Sequence, residues 1–244
     1  MPYLSIVTIN FNNAVGLKKT IESVKNLSFK DYEHIIVDGG STDGSLDTIK
    51  NALKDTEYAK HVTWWCSEKD DGIYNAMNKG IAHANGIFIA TLNSGDEYLP
   101  NSLDNFEMIT KENQNAIYYG AISCYKNDIF DCVHCSPASN LTKGMIPHSA
   151  SFVPKSIYNK FGLYDENFKS SGDWELFLRF YKLNVNFCFI ERIITRFDVG
   201  GISNTDLNLV RKENEKLLKM HGEYKFSPKK QIIKLLRKIY NLLP

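Results

Sequence analysis

Tyr3-Leu-Ser-Ile-Val-Thr-Ile-Asn10, followed by His34-Ile-Ile-Val-Asp38, decides the fold class. Both are short β-branched runs that read as buried strands, and between them Val15, Leu17, Ile21 and Val24 recur at helical spacing. Ser41-Thr42-Asp43 then offers N-cap oxygens to a helix carrying Leu46, Ile49 and Leu53. A third strand is expected near residues 62–66, and a helix through Ile73, Met77 and Ile81 leads from it to the strand Gly86-Ile-Phe-Ile-Ala-Thr-Leu92. Four strands alternating with helices predict an α/β fold: a mostly parallel, Rossmann-like sheet flanked by helices, with ligands at the carboxyl ends of the strands.

Beyond residue 100 the pattern is less regular. Strands are expected near 116–122, 129–134, 185–191 and 193–197, and helices near 155–161 and after Asp173. No repeat or low-complexity linker interrupts the 244 residues, so one compact domain with a C-terminal extension is expected. The net charge of +1 gives no global attraction for nucleic acid, and none is expected as a partner. No stretch has the length of a transmembrane helix, and the opening residues lack a basic leader. Five cysteines, an odd number, read as reduced thiols of a cytoplasmic protein. Cys132-Val-His-Cys135 is half of a zinc pattern without a second half, so buried strand cysteines are expected instead.

Polar residues gather where the strands end. Thr8, Asn10 and Asn12 close the first strand and Asp38 the second; Glu68, Asp70 and Asp71 follow the third, and Asn93-Ser94-Gly95-Asp96 the fourth. One such carboxylate could be a helix cap, as Asp43 is expected to be. Four in succession predict a ligand site in one crevice.

These segments also resemble a known family. Ser5-Ile-Val-Thr-Ile-Asn10-Phe-Asn12, Val37-Asp38-Gly-Gly-Ser41-Thr42-Asp43-Gly44, Asp71-Gly72-Ile-Tyr74-Asn75-Ala-Met-Asn78-Lys79-Gly80 and Leu92-Asn-Ser-Gly-Asp96 stand in the order of the inverting glycosyltransferase family 2. Gly162-Leu-Tyr-Asp165-Glu166 and Asp173-Trp-Glu-Leu-Phe-Leu-Arg179 continue the likeness, which spans roughly residues 3 to 204. The resemblance implies a GT-A domain over 1–204. Residues 1–96 would form its nucleotide-sugar half and 97–204 its acceptor half, with 205–244 as a helical extension. It further implies that Thr8, Asn10, Asn12, Asp38, Asp71, Asn78, Asn93 and Asp96 bind a nucleotide-sugar donor, a UDP-sugar by family frequency. Asp96 would carry Mn²⁺ or Mg²⁺, since hard cations prefer carboxylate and phosphate oxygens, and Asp198 is either a further oxygen ligand or a plain loop carboxylate. Asp173 would be the general base, with a helix N-cap as its competing role, and His148 and Trp174 would face a glycan or lipid-linked glycan acceptor of a bacterial capsule, O-antigen or lipopolysaccharide pathway.

The chain departs from the commoner pattern at Gly39, Asn93, Gly95 and Gly172, each standing where an acidic residue is usual. A silent nucleotide-sugar-binding homologue and a nucleotidyltransferase are therefore the competing classes. The latter would need a glycine-rich, basic pyrophosphate loop where Asn10-Phe-Asn-Asn13 stands.

Ser227-Pro228 marks a further helix start. Ile232, Leu235, Leu236, Ile239, Tyr240 and Leu243 recur at helical spacing, and from Lys229 onward there are five basic residues and no acidic ones. Such an amphipathic helix can lie in an anionic membrane interface, placing the enzyme at the inner face of the plasma membrane. The alternative is packing on its own domain or in a homodimer.

Overall fold

The computed structural model describes residues 1–199 and 206–225. Strands β1 (Leu4–Asn10), β2 (Tyr32–Asp38), β3 (Val62–Ser67) and β4 (Phe88–Thr91) pair in parallel in the order β3-β2-β1-β4. Helices α1 (Ala14–Lys25), α2 (Ser45–Ala52), the short α3 (Thr56–Ala59) and α4 (Ile73–His83) connect them. Strand alternation sends Leu4 and Ile6 into one hydrophobic cluster with Leu17, Ile21 and Phe88. Val7 and Ile9 enter the opposite cluster with Met77 and Ile81. Helix α4 lies so close to the sheet that a Cβ on Gly80 would stand 2.3 Å from Val7 Cγ1.

The second half extends the same sheet with mixed strand directions. β5 (Glu97–Tyr98) and helix α5 (Phe106–Thr110) come first in the chain. They are followed by β6 (Ile117–Lys126), β7 (Ile129–His134), β8 (Ser151–Pro154), α6 (Lys155–Phe161), α7 (Gly172–Lys182), β9 (Phe187–Asp198) and α8 (Leu207–Met220). The path continues β4-β8-β6-β9-β5: β8 is antiparallel to β4 and β6, and β9 runs parallel to β6. The two late strands expected from the sequence are one strand, β9. The interruption read between them is a bulge, because Tyr119 pairs Phe189 while Ala121 pairs Ile193.

Two expectations about thiols change. Cys132 and Cys135 are exposed rather than buried, because every residue of β7 lies on the surface, and only Cys124 is buried. No metal-binding cluster of three His, Cys, Asp or Glu occurs among the described residues. No described helix is long and apolar enough to cross a membrane. The amphipathic stripe expected after Ser227 lies outside the described residues.

Candidate active site at the strand ends

Sheet register builds the first wall of the site. Asn10 pairs with Asp38, and Asp38 with Ser67, so three polar residues form one row across β1, β2 and β3. The fully buried Asp38 carboxylate accepts from Asn10 Nδ2 (2.7 Å), Ser41 Oγ (2.6 Å), the Ser41 N–H (3.0 Å) and Ser67 Oγ (2.6 Å). Burial alone would raise its pKa, but the bonds from Ser41, Ser67 and Asn10 outweigh that and hold it below the usual carboxylate range. Asn12, at φ +48°, ties the loops after β1 and β2 together: its N–H reaches Ser41 Oγ and its Oδ1 accepts from the Thr42 N–H.

Between these loops Phe11 stands 64% exposed against Gly39. A Cβ on residue 39 would lie 2.5 Å from Asp70 Oδ2 and 3.2 Å from the Phe11 ring. A side chain at 39 would therefore displace the ends of Asp70 and Phe11, and a carboxylate there would meet the Asp70 carboxylate. Thr8 belongs elsewhere. By strand alternation it faces the α1–α2 side, fully buried, with Oγ1 2.9 Å from His34 Nε2, whose Nδ1 is 2.6 Å from the Tyr58 hydroxyl. That correction removes Thr8 from the crevice.

The end of β4 forms the second wall. Gly95 sits at φ +107°, a conformation that L side chains rarely adopt, which accounts for the glycine where an acid is common. Thr20 Oγ1 pins this turn, accepting from the Gly95 N–H and donating to the Asp96 carbonyl. Asp96 is 5% exposed, and burial pushes its pKa up to about 8. An Asp198 N–H pulls against that, while the charges of Asp198 and Glu97 add to it. The side-chain Oδ1 atoms of Asn10 and Asn93 are buried without a hydrogen-bond partner. Two unmet acceptors and a carboxyl short of positive charge thus collect at neighbouring strand ends. Hydroxyl or imide donors and a cation are what they lack.

The second half of the chain meets this wall through β4, which pairs with β8. Thr91 Oγ1 lies 3.0 Å from His148 Nε2, which lies 2.7 Å from the Tyr164 hydroxyl. Burial lowers the His148 pKa against the opposing charge of Asp173. Asp173 is the second residue of α7 and not its N-cap, which is Ser171; its Oδ1 still accepts a first-turn N–H, that of Trp174 (2.8 Å). The Tyr74 hydroxyl accepts from the Gly172 N–H (2.7 Å) and donates to Asp173 Oδ1 (3.3 Å). A Cβ on Gly172 would come within 2.7 Å of the Tyr74 ring, so the acidic neighbour usual at that position has no room.

Two expected site residues have their side chains bonded within the protein, and a third lies at the crevice edge. Trp174 is buried and its indole N–H donates to the Leu141 carbonyl (2.7 Å), so it presents no stacking face to an acceptor. Asn78 clamps the loop after α6: it bonds the Tyr164 N–H and carbonyl and reaches Glu166 Oε1. Asp71 is exposed at the crevice edge, where its carbonyl accepts from Lys169 Nζ (2.9 Å). Conversely, Phe11, Asp70, Thr91, Tyr74 and Tyr164 line or brace the site without having been assigned roles from sequence. Phe11 and Tyr74 lie inside the quoted motifs, but only folding shows which motif residues face the crevice.

The Glycosyl transferase family 2 profile matches residues 5–179. An uncharacterized glycosyltransferase of Mycobacterium tuberculosis is 30% identical over 234 residues, covering 92% of this chain and 86% of that one. A PGL/p-HBAD biosynthesis glycosyltransferase of Mycobacterium bovis is 27% identical over 236 residues, covering 90% and 85%. Among solved structures, S. aureus TarS 1–349 in complex with UDP-GlcNAc aligns with a TM-score of 0.66 at 13% identity, over 90% of this chain and 71% of that one. The chain spans 44% of the longer TarS chain, with a TM-score of 0.66. At such identity these structures establish a shared GT-A fold.

Proposed function

The chain belongs to glycosyl transferase family 2, and from that premise we propose that it moves a sugar from a UDP-sugar to a hydroxyl of a polysaccharide or lipid-linked oligosaccharide, with inversion at the anomeric carbon. One observation carries the proposal. Two carboxyl groups of opposite character stand at the ends of the two halves: Asp96, buried and pushed up to about 8, and Asp173, half-buried and oriented by Tyr74. The first suits a cationic donor complex, the second a proton acceptor.

The donor's nucleoside is assigned to the Asn10–Asp38–Ser67 row, with the unmet Oδ1 atoms of Asn10 and Asn93 taking its N–H or O–H groups. Phe11 offers an exposed ring beside that row. The UDP-GlcNAc complex of TarS supports uridine as the nucleoside. Asp96, with Asp198 beside it, would hold Mn²⁺ or Mg²⁺, the remaining ligands coming from the diphosphate. The cation, when bound, offsets negative charge on the departing diphosphate.

In the transfer step an acceptor oxygen attacks C1 of the sugar as the C1–O bond to the β-phosphate breaks. Asp173 takes the acceptor's proton, and UDP leaves. A single displacement converts an α-linked donor into a β-linked product. His148, held between Thr91 and Tyr164, would fix the acceptor side without carrying charge. A bacterial surface glycan and attachment to the cytoplasmic membrane face through the basic tail complete the proposal.

The test is a panel of UDP-, dTDP- and GDP-sugars with Mn²⁺, scored for nucleotide diphosphate release with and without EDTA. Release from a UDP-sugar that stops in EDTA and resumes with added metal is expected. Binding without release would favour the silent homologue, and full turnover in EDTA would remove the cation from the proposal.

A further inference from the structure

Glu213 is a buried carboxylate on α8, 7% exposed, far in sequence from every motif considered above. Its Oε1 accepts from the Lys169 N–H (2.7 Å), and its Oε2 from the N–H groups of Ser170 (2.8 Å) and Ser171 (2.9 Å). Three consecutive backbone donors thus converge on one anion, immediately before the helix that carries Asp173. Ser171 makes no side-chain cap bond to its own helix; its hydroxyl bonds Asn214 Oδ1 (2.7 Å) instead. Helix α8 is itself anchored on this domain by the fully buried Leu217 and by His221 Nε2, 3.1 Å from Glu175 Oε1.

We propose that Glu213 is a positioning residue for the general base, setting the entry of the chain into α7 and so the place of Asp173. The charge is well matched to the position. Consecutive N–H groups beside a helix N-terminus favour an anion, and a carboxylate accepts from all three where a neutral amide would present an NH₂ to at least one donor. The same segment carries Lys169, whose Nζ crosses to the Asp71 carbonyl on the donor-side loop (2.9 Å), so the anchored segment also joins the two lips of the crevice. A displacement of about 1 Å at a reacting group costs on the order of a hundredfold in rate, which makes the anchorage of residues 169–171 matter to the chemistry. The proposal rests on Asp173 being the base.

The experiment compares E213Q, N214A, D173N and the double variant D173N/E213Q in the full chain. UDP release from UDP-GlcNAc with Mn²⁺, water serving as acceptor, is measured beside UDP-GlcNAc affinity by calorimetry. Amide exchange at residues 169–173 and a thermal melt accompany both. E213Q should lower kcat by about 30-fold with donor affinity within about twofold, and N214A should lower it in the same sense by less. In the D173N background E213Q should cost nothing further, because a residue that acts through the base has no effect once the base is gone. Amide exchange at 169–171 should quicken in E213Q whether or not UDP-GlcNAc is the natural donor. Additive losses in the double variant, unchanged exchange, or a kcat loss that tracks weakened donor binding would overturn the assignment. Should E213Q not fold, N214A alone decides: a wild-type kcat with unchanged exchange refutes the proposal. Near-normal release by D173N would instead overturn the base, a result distinct from every outcome for Glu213.

Discussion

Asp96→Asn should stabilise the metal-free protein by an amount that grows with pH, while abolishing turnover. The folded protein holds the Asp96 proton until about pH 8, whereas an unfolded aspartate releases it near ~3.9. Between those values the native state binds more protons than the unfolded one, so this carboxyl lowers stability as pH rises. At ~1.4 kcal/mol per pH unit, its cost grows from about 1 kcal/mol near pH 5 to several kcal/mol near pH 8. Asparagine has nearly the same shape, can accept the Asp198 N–H, and carries no such cost. Urea unfolding of both proteins in EDTA across this range should therefore show curves diverging by a few kcal/mol, or about 10 °C in Tm. His34, which burial drives down to about 3, also makes stability pH-dependent, but it opposes folding as pH falls below its unfolded value and is common to both proteins. Added Mn²⁺ and UDP should reverse the ranking by ionising Asp96 in the wild type only. About 0.9 proton should then be released per complex at pH 7, measurable by calorimetry in buffers of different ionisation enthalpy. Parallel stability curves, or metal stabilisation of D96N equal to wild type, would refute the reasoning.

Asp173→Asn should reduce transfer by about 10²- to 10⁴-fold, measured as UDP release, with donor affinity unchanged by calorimetry. A near-wild-type rate would leave Asp173 without a role in proton transfer. Removing residues after Ser227 should preserve UDP release with water as acceptor but abolish co-sedimentation with anionic vesicles. Each basic side chain contributes about 1 kcal/mol near such a surface, so added salt should weaken sedimentation of the intact chain. Failure of the intact protein to sediment at low salt would exclude membrane docking, and a lowered Tm on truncation would point to packing of the tail on the domain.

The sequence by itself determined the parallel half of the sheet, because β1, β2 and β4 are runs buried on both faces and each crossover has helical periodicity. It also placed Asn10, Asp38, Asp70, Asn93 and Asp96 at one sheet edge, since successive parallel strands end on the same side. It could not say which neighbours would be spent inside the fold. Thr8 differs from Asn10 by two residues, yet it is spent on His34 inside the α1–α2 layer. Trp174 and Asn78, in motifs as prominent as that of Asp173, are spent on backbone groups of η1 (Ala138–Thr142) and of the loop after α6. The absent acids at 39, 95 and 172 read as losses in one dimension. In three, the glycines at 95 and 172 follow from a left-handed backbone and from the Tyr74 ring, while a side chain at 39 would displace Asp70 and Phe11. Glu213 had no signal in the sequence at all, being one acidic residue on an amphipathic helix. Only tertiary packing, by bringing α8 across three N–H groups forty residues earlier in the chain, gives its charge something to hold.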